Sequence, residues 1–202
     1  MAVMIRTAIQ SDIPYLYQIC LETGDSGKDA SPLFSDPWLI GQYYAAPYLF
    51  YSIDCCFIAE ENGIPKGYII GTDNTPLFNI WFDTVWLPPL RQRYPDSKRN
   101  PESYSINEKR LIEKLHQKSE SSPFFKEYPA HLHIDLLPDL QGKGCGRLLM
   151  DAFLGEMKAR RCPGVHLGVS NTNPGAIGFY NKLFFTILKE ETWGLTMGKK
   201  LT

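Results

Sequence analysis

The chain has 202 residues, 44% of them hydrophobic, with 11 Phe, 11 Tyr and 4 Trp, enough for one domain with a proper core or one domain carrying a large insertion. A formal net charge of −1 offers no broad attraction to nucleic acid or to an anionic membrane, no apolar run approaches a membrane span, and the N-terminus lacks a signal-peptide pattern. Five cysteines, odd in number, unpatterned and including adjacent Cys55-Cys56, argue for reduced thiols in a cytoplasmic setting; no zinc spacing is present, so no metal is expected.

In chain order, Met4–Ala8 is a short strand. Ser11 offers an N-cap to a helix with Asp12 in its first turn and Pro14 near its start; Ile13, Leu16, Tyr17, Cys20 and Leu21 keep helical spacing until Gly24. Gly24–Ser35 has the chemistry of a surface loop. Asp36-Pro37 reopens a helix to about Ala46, and Pro47 closes it. Asp54–Glu60, the turn Glu61-Asn62-Gly63 and Gly67–Gly71 form a hairpin. Residues 72–129 then interrupt the strand pattern. They carry Trp81, Trp86, prolines at 88, 89 and 95, and a helix from Ser105, whose spacing to Glu108 is that of a capping box.

Residues 130–161 organise the rest. Ala130–Leu140 is rich in Leu and Ile and alternates like a strand; Leu149, Phe153 and Met157 lie four apart like the buried stripe of a helix. Between them stand Gly142, Gly144 and Gly146. A strand that turns through glycines into a helix leaves backbone N–H groups unpaired at the positive end of the helix dipole, a ready phosphate site. The spacing is neither the dinucleotide fingerprint nor the P-loop; the alternative is a tight strand-to-helix connection. His131, His133 and Asp135 alternate and so share one face of the strand. Further on come the strand Val165–Val169, the run Asn173-Pro174-Gly175-Ala176 to Tyr180, Lys182 and Phe185, and two closing strands, Thr186–Glu190 and Thr192–Lys200.

The run Gln141–Gly146, Q-x-x-G-x-G, resembles the acyl-CoA pyrophosphate loop of the GNAT N-acetyltransferase superfamily. Asn173, Ala176, Tyr180, Lys182 and Phe185 resemble that superfamily's second signature, with Phe184 standing where the family usually has glycine, so that the turn there is open to a different shape. The resemblance covers residues 1–71 and 130–202. The segment EYPAHLHIDLLPDLQGKG is also similar to acetyltransferase-like domains related to the C-terminal part of O-GlcNAc hydrolases. The resemblance implies a GNAT fold of the α/β (α+β) class over residues 1–202: a mixed central sheet of six or seven strands flanked by helices, with residues 72–129 as a helical insertion between the third and fourth strands. It implies an N-acetyltransferase that moves an acetyl group from acetyl-CoA, its co-substrate, to a primary amine by direct attack in a ternary complex.

On that resemblance, backbone groups of Leu136 and Leu137 face the pantetheine in a gap between the fourth and fifth strands. The amides of Gln141, Gly142, Lys143, Gly144, Cys145 and Gly146 cradle the pyrophosphate, with charge from Lys143 and Arg147; Asn173 and Ala176 belong to the same binding set. Tyr180 gives the departing thiolate its proton. His133, then Asp135, is the candidate base, and A-H-L-H resembles the paired histidines of arylalkylamine acetyltransferases. The alternative function is an inactive acyl-CoA-binding or partner-binding domain. The insertion reads as a lid over the acceptor site or as a packing or homodimer surface. Small amine, amino acid, aminosugar and protein lysine all stay open as acceptors.

Overall fold

The computed structural model describes residues 3–96, 104–119 and 121–201. Strands β1 (Val3–Thr7), β2 (Phe57–Glu61), β3 (Ile64–Thr72), β4 (Ala130–Leu136), β5 (Gly164–Ser170), β6 (Thr186–Glu190) and β7 (Gly194–Lys200) form one sheet in the order β1-β2-β3-β4-β5-β7-β6. Every neighbouring pair is antiparallel except β4 and β5, which run parallel. This is the mixed sheet expected.

Successive residues of a strand face opposite sides, and the two sides carry separate cores. Ile69, Leu132, Val165 and Leu167 pack with α7 (Cys145–Ala159) and α8 (Pro174–Lys182) on one side. Tyr68 and Ile70 pack with α1 (Ile13–Thr23), α2 (Leu39–Tyr44) and α3 (Ala46–Tyr51) on the other. Leu149, Phe153 and Met157 are fully buried, as their four-residue spacing requires.

The entry to α1 differs from expectation. Ser11 makes no cap; Gln10–Asp12 is a 3₁₀ turn, and Asp12, 2% exposed, accepts the Ile9 N–H at 2.8 Å and two Arg6 N–H groups at 2.7 Å each. A carboxylate anchored by a guanidinium outcompetes a neutral hydroxyl for the orphan donors. Pro47 also behaves differently. It sits in the first turn of α3, where its missing N–H does no harm, so it opens a helix instead of closing one.

The insertion is helical: α4 (Thr75–Trp81), a π-turn at Phe82–Trp86, α5 (Leu87–Arg93) and α6 (Ile106–His116). Pro88 and Pro89 lack the N–H groups that an α-ladder would take back to Thr84 and Val85, which accounts for the irregular turn just before them. Ser105 and Glu108 form the capping box. Glu108 does more than cap: 1% exposed, it also accepts Ser35 N–H at 2.8 Å, the Ser35 hydroxyl at 2.6 Å and Asp36 N–H at 3.1 Å. Phe78, Phe82, Leu87, Leu111, Ile112 and Leu115 join the core of α1–α3. The insertion therefore lies on the side of the sheet that His131, His133 and Asp135 face.

Candidate active site

The geometry starts from one interrupted pairing. β4 bonds β3 from His131 to Leu136, and β5 bonds β7 along its whole length. Between themselves, β4 and β5 pair only at Ala130–Val165 and His131–His166. Beyond that point the two parallel strands part, leaving a wedge whose edges carry unpaired backbone groups. In an antiparallel ladder, successive residues bond alternately to opposite neighbours. Leu137 N–H goes to Lys66 O at 2.9 Å, so Leu136 and Ile134 turn their backbone groups toward the wedge. Leu137 C=O also accepts the Leu140 N–H at 2.9 Å. Leu136 O accepts the Gln141 side-chain amide at 2.8 Å.

The glycine turn closes the wide end of the wedge. Gly142 and Gly144 have φ of +70° and +83°, values costly for any residue with a Cβ, and a Cβ on either would meet no atom within 4 Å. The space a Cβ would take at either glycine is open. Gly144 caps α7 with no side-chain acceptor, and among the described residues no acceptor within the protein takes the N–H groups of Gly142 through Gly146. Lys143 and Arg147 are exposed beside them; Arg147 Nε rests on Asp151 at 2.9 Å. The Cys145 side chain points the other way, 2% exposed in the core.

Asn173 caps α8 through its Oδ1, which accepts Ala176 N–H at 3.0 Å. Tyr180, 7% exposed, packs with its ring tilted against those of Phe179 and Phe185. Its hydroxyl makes no hydrogen bond to the described residues. Burial pushes the phenol well above its ordinary range, and the Asp135 carboxylate adds to this. Phe184, 80% exposed, adopts φ +62°, a left-handed backbone that glycine takes without cost.

His131 and His133 are joined by a residue the sequence reading did not single out. Tyr48 Oη contacts His131 Nε2 at 2.7 Å and His133 Nε2 at 3.1 Å, while His131 Nδ1 contacts Thr75 Oγ1 at 2.7 Å. Thr75 Oγ1 lies 2.6 Å from Pro129 O, which can only accept. That assigns every proton in the chain: Thr75 donates to Pro129, His131 Nδ1–H to Thr75, Tyr48 to His131, and His133 Nε2–H to Tyr48. His133 is left with Nδ1 as its lone-pair nitrogen. Burial, followed by the nearby Lys114 charge, lowers His133 to about 4, and burial holds His131 well below its ordinary value. Asp135 accepts Tyr68 Oη–H at 2.6 Å and is raised by burial to about 6.

His131 and His133 open onto a cavity of about 600 Å³ walled by the insertion, including Thr75, Phe78, Phe82 and Lys114, and by β5 and Trp193. Asp135 does not line it. Nothing in local sequence pattern marks Tyr48, Thr75, Lys114 or Trp193 as neighbours of the two histidines. Among the described residues there is no cluster of three His, Cys, Asp or Glu set to hold a metal ion, and no helix is long and apolar enough to cross a membrane.

The comparisons agree with this architecture. The model of the acetyltransferase (GNAT) family matches residues 109–185. The crystal structure of SsHAT is 32% identical, covers 100% of both chains and superposes with a TM-score of 0.89. Protein O-GlcNAcase of Rattus norvegicus is 27% identical over 190 residues, 93% of this chain but 20% of that protein, so the chain spans about a fifth of this curated relative. PaiA N-acetyltransferase of Thermoplasma acidophilum, solved in complex with coenzyme A, shares the fold with a TM-score of 0.60 at 15% identity, covering 99% of each chain. With the parted strands, the glycine turn and the Asn173-capped helix in place, the chain belongs to the GNAT acetyltransferase family.

Proposed function

We propose that this chain transfers an acetyl group from acetyl-CoA to a primary amine by direct attack within a ternary complex. The observation that carries the reading is the wedge between β4 and β5, closed at one end by the glycine turn and flanked at the other by the His133 cavity.

Acetyl-CoA is the co-substrate. Gly142–Gly146 would meet its pyrophosphate with unpaired N–H groups at the positive end of α7. Lys143, and Arg147 after leaving Asp151, would add charge. Backbone groups of Leu136 and Ile134 would hold the pantetheine as a surrogate strand, once the Gln141 amide yields Leu136 O; the Leu137 N–H is already given to Lys66 O. Asn173 and Ala176 hold α8 so that Tyr180 reaches the thioester end.

In the reaction the amine nitrogen forms a bond to the acetyl carbonyl carbon and the carbon–sulfur bond breaks. His133 Nδ1 takes the proton the amine loses, and Tyr180 supplies one to the departing thiolate. The depressed pKa of His133 keeps it unprotonated at neutral pH and therefore able to accept. Tyr48 fixes the ring through Nε2 and lets the incoming positive charge spread toward His131. A phenol pushed upward by burial stays protonated, as a donor must. Asp135, on Tyr68 and away from the cavity, is the second candidate base. The insertion roofs the acceptor cavity, and five buried free thiols fit a reducing, cytoplasmic setting.

The test is CoA release with a panel of primary amines, comparing the wild type with Tyr180→Phe. Loss of a general acid lowers kcat by about 10²–10⁴. Unchanged release would overturn the assignment. An inactive carrier-binding domain predicts instead about 2.7 kcal/mol of stabilisation by acetyl-CoA at ~100 Kd with no release by the wild type.

A further inference from the structure

From the walls of the His133 cavity we infer the class of acceptor: a small primary amine that carries an anionic group, carboxylate or phosphate, in place of a basic peptide. The inference rests on the acetyltransferase reading and adds to it the side of the cavity opposite the base.

The charges on the cavity wall are unequal. Lys114 and Lys118 line it, and neither has a carboxylate partner among the described residues. Among the described residues, Glu191 is the single acidic one on the wall. Its carboxylate is already engaged by the Lys189 ammonium and by the Trp193 indole N–H. The histidines are uncharged at neutral pH. The described residues of the lining therefore carry net positive charge, which repels a lysine- or arginine-rich segment and attracts an anion.

Lys114 is also placed, not merely present. Lys114 Nζ donates to Tyr44 Oη at 2.9 Å and sits 5.5 Å from the centre of the Tyr44 ring. That ring packs edge-on against His133, with centroids 5.7 Å apart. Base, aromatic wall and ammonium thus follow one another along a single surface. An amine seated at His133 Nδ1 would carry a substituent along Tyr44 toward Lys114. Trp193 also lines the cavity, and its indole covers Gly168: a Cβ there would lie 2.9 Å from the ring. An aromatic wall running from the base to an ammonium suits a small amine with an anionic substituent, such as an amino acid or an amino-sugar phosphate.

The experiment compares matched acceptors that differ only in the anion: L-phenylalanine with L-phenylalaninamide, and glucosamine 6-phosphate with glucosamine, beside a lysine-rich peptide. Each is measured on the wild type, on Lys114→Gln/Lys118→Gln and on Lys114→Arg/Lys118→Arg. The ratio of kcat/KM within each pair cancels any effect on the base itself. We expect the glutamine variant to lower the anionic member of at least one pair by about five- to tenfold relative to its neutral partner, the arginine variant to retain the ratio, and added salt to shrink it. The pair that responds tells carboxylate from phosphate. A ratio unmoved in both pairs, or a lysine-rich peptide as the best acceptor, would overturn the inference. If no amine releases CoA, the acetyltransferase reading fails on its own, and calorimetric Kd values for the same pairs and variants then decide the anion site.

Discussion

Replacing Tyr48 with Phe removes one oxygen and leaves the ring. The ring is held by its stack on Phe78, with centroids 4.7 Å apart and planes at 8°, so packing should survive. Two hydrogen bonds go, at 2.7 Å to His131 and 3.1 Å to His133. Each neutral bond is worth about 0.5–1.5 kcal/mol, and more if the orphaned nitrogen stays dry. Both imidazoles open onto the cavity, so water can reach them, and the total falls near 2 kcal/mol. For a chain of this size that lowers Tm by roughly 4–8 °C. The second consequence is catalytic. Without Tyr48 the His133 ring loses the contact that sets its tautomer, so Nδ1 no longer holds the lone pair in every molecule. We expect kcat to fall at least ~10-fold with little change in KM, since a misdirected base harms the transition state more than binding. Thermal unfolding and steady-state CoA release measure the two effects. A Tm loss under ~0.5 kcal/mol equivalent, together with unchanged kcat, would refute the proton assignment from Thr75 to His133.

Gly144→Ala should cost about 1–2 kcal/mol from the left-handed backbone alone, because its Cβ meets no protein atom. It should also abolish the acetyl-CoA thermal shift by filling the space before α7, whereas Gly155→Ala, mid-helix with room for a Cβ, should stabilise by about 0.5–1 kcal/mol and keep the shift; a shift retained in Gly144→Ala removes the glycine turn from the binding site. The pH dependence has two opposed contributions. His133 titrates at about 4 when folded against an ordinary 6.5, so the native state binds fewer protons, and stability present above pH 6.5 is lost as pH falls toward 4. Asp135 titrates at about 6 against an ordinary 3.8, so it gains stability over nearly the same interval. Each is worth up to ~3 kcal/mol. Melting curves between pH 7 and pH 4 should therefore fall more steeply for Asp135→Asn than for the wild type, and less steeply for His133→Gln; parallel curves would show that neither group is buried as described.

Features set by neighbouring residues were legible along the chain. The capping box of Ser105 and Glu108, the cap at Asn173 and the left-handed turn at Gly142 and Gly144 depend on atoms three or four residues apart. The shared face of His131, His133 and Asp135 followed from the period of a strand, and the fold followed from the resemblance carried by Gln141–Gly146 and Asn173–Phe185 together with the order of strands and helices. Local reasoning failed where a distant partner intervened. Ser11 lost its capping role because Arg6, set in place by β1, recruits Asp12 and Glu60 at once. Pro47 could be read as a stop because nothing nearby announces that α3 continues into the core.

The chain by itself determined the order of its elements, the glycine turn and the histidine face, since these rest on backbone geometry and short-range pattern. Only the tertiary structure decided which nitrogen of His133 is basic, which phenol stands between the two histidines, and which lysines share their cavity. Tyr48, Thr75 and Lys114 reach the site from three separate helices, and a hydrogen-bond direction or a cavity's charge exists only once those helices have packed.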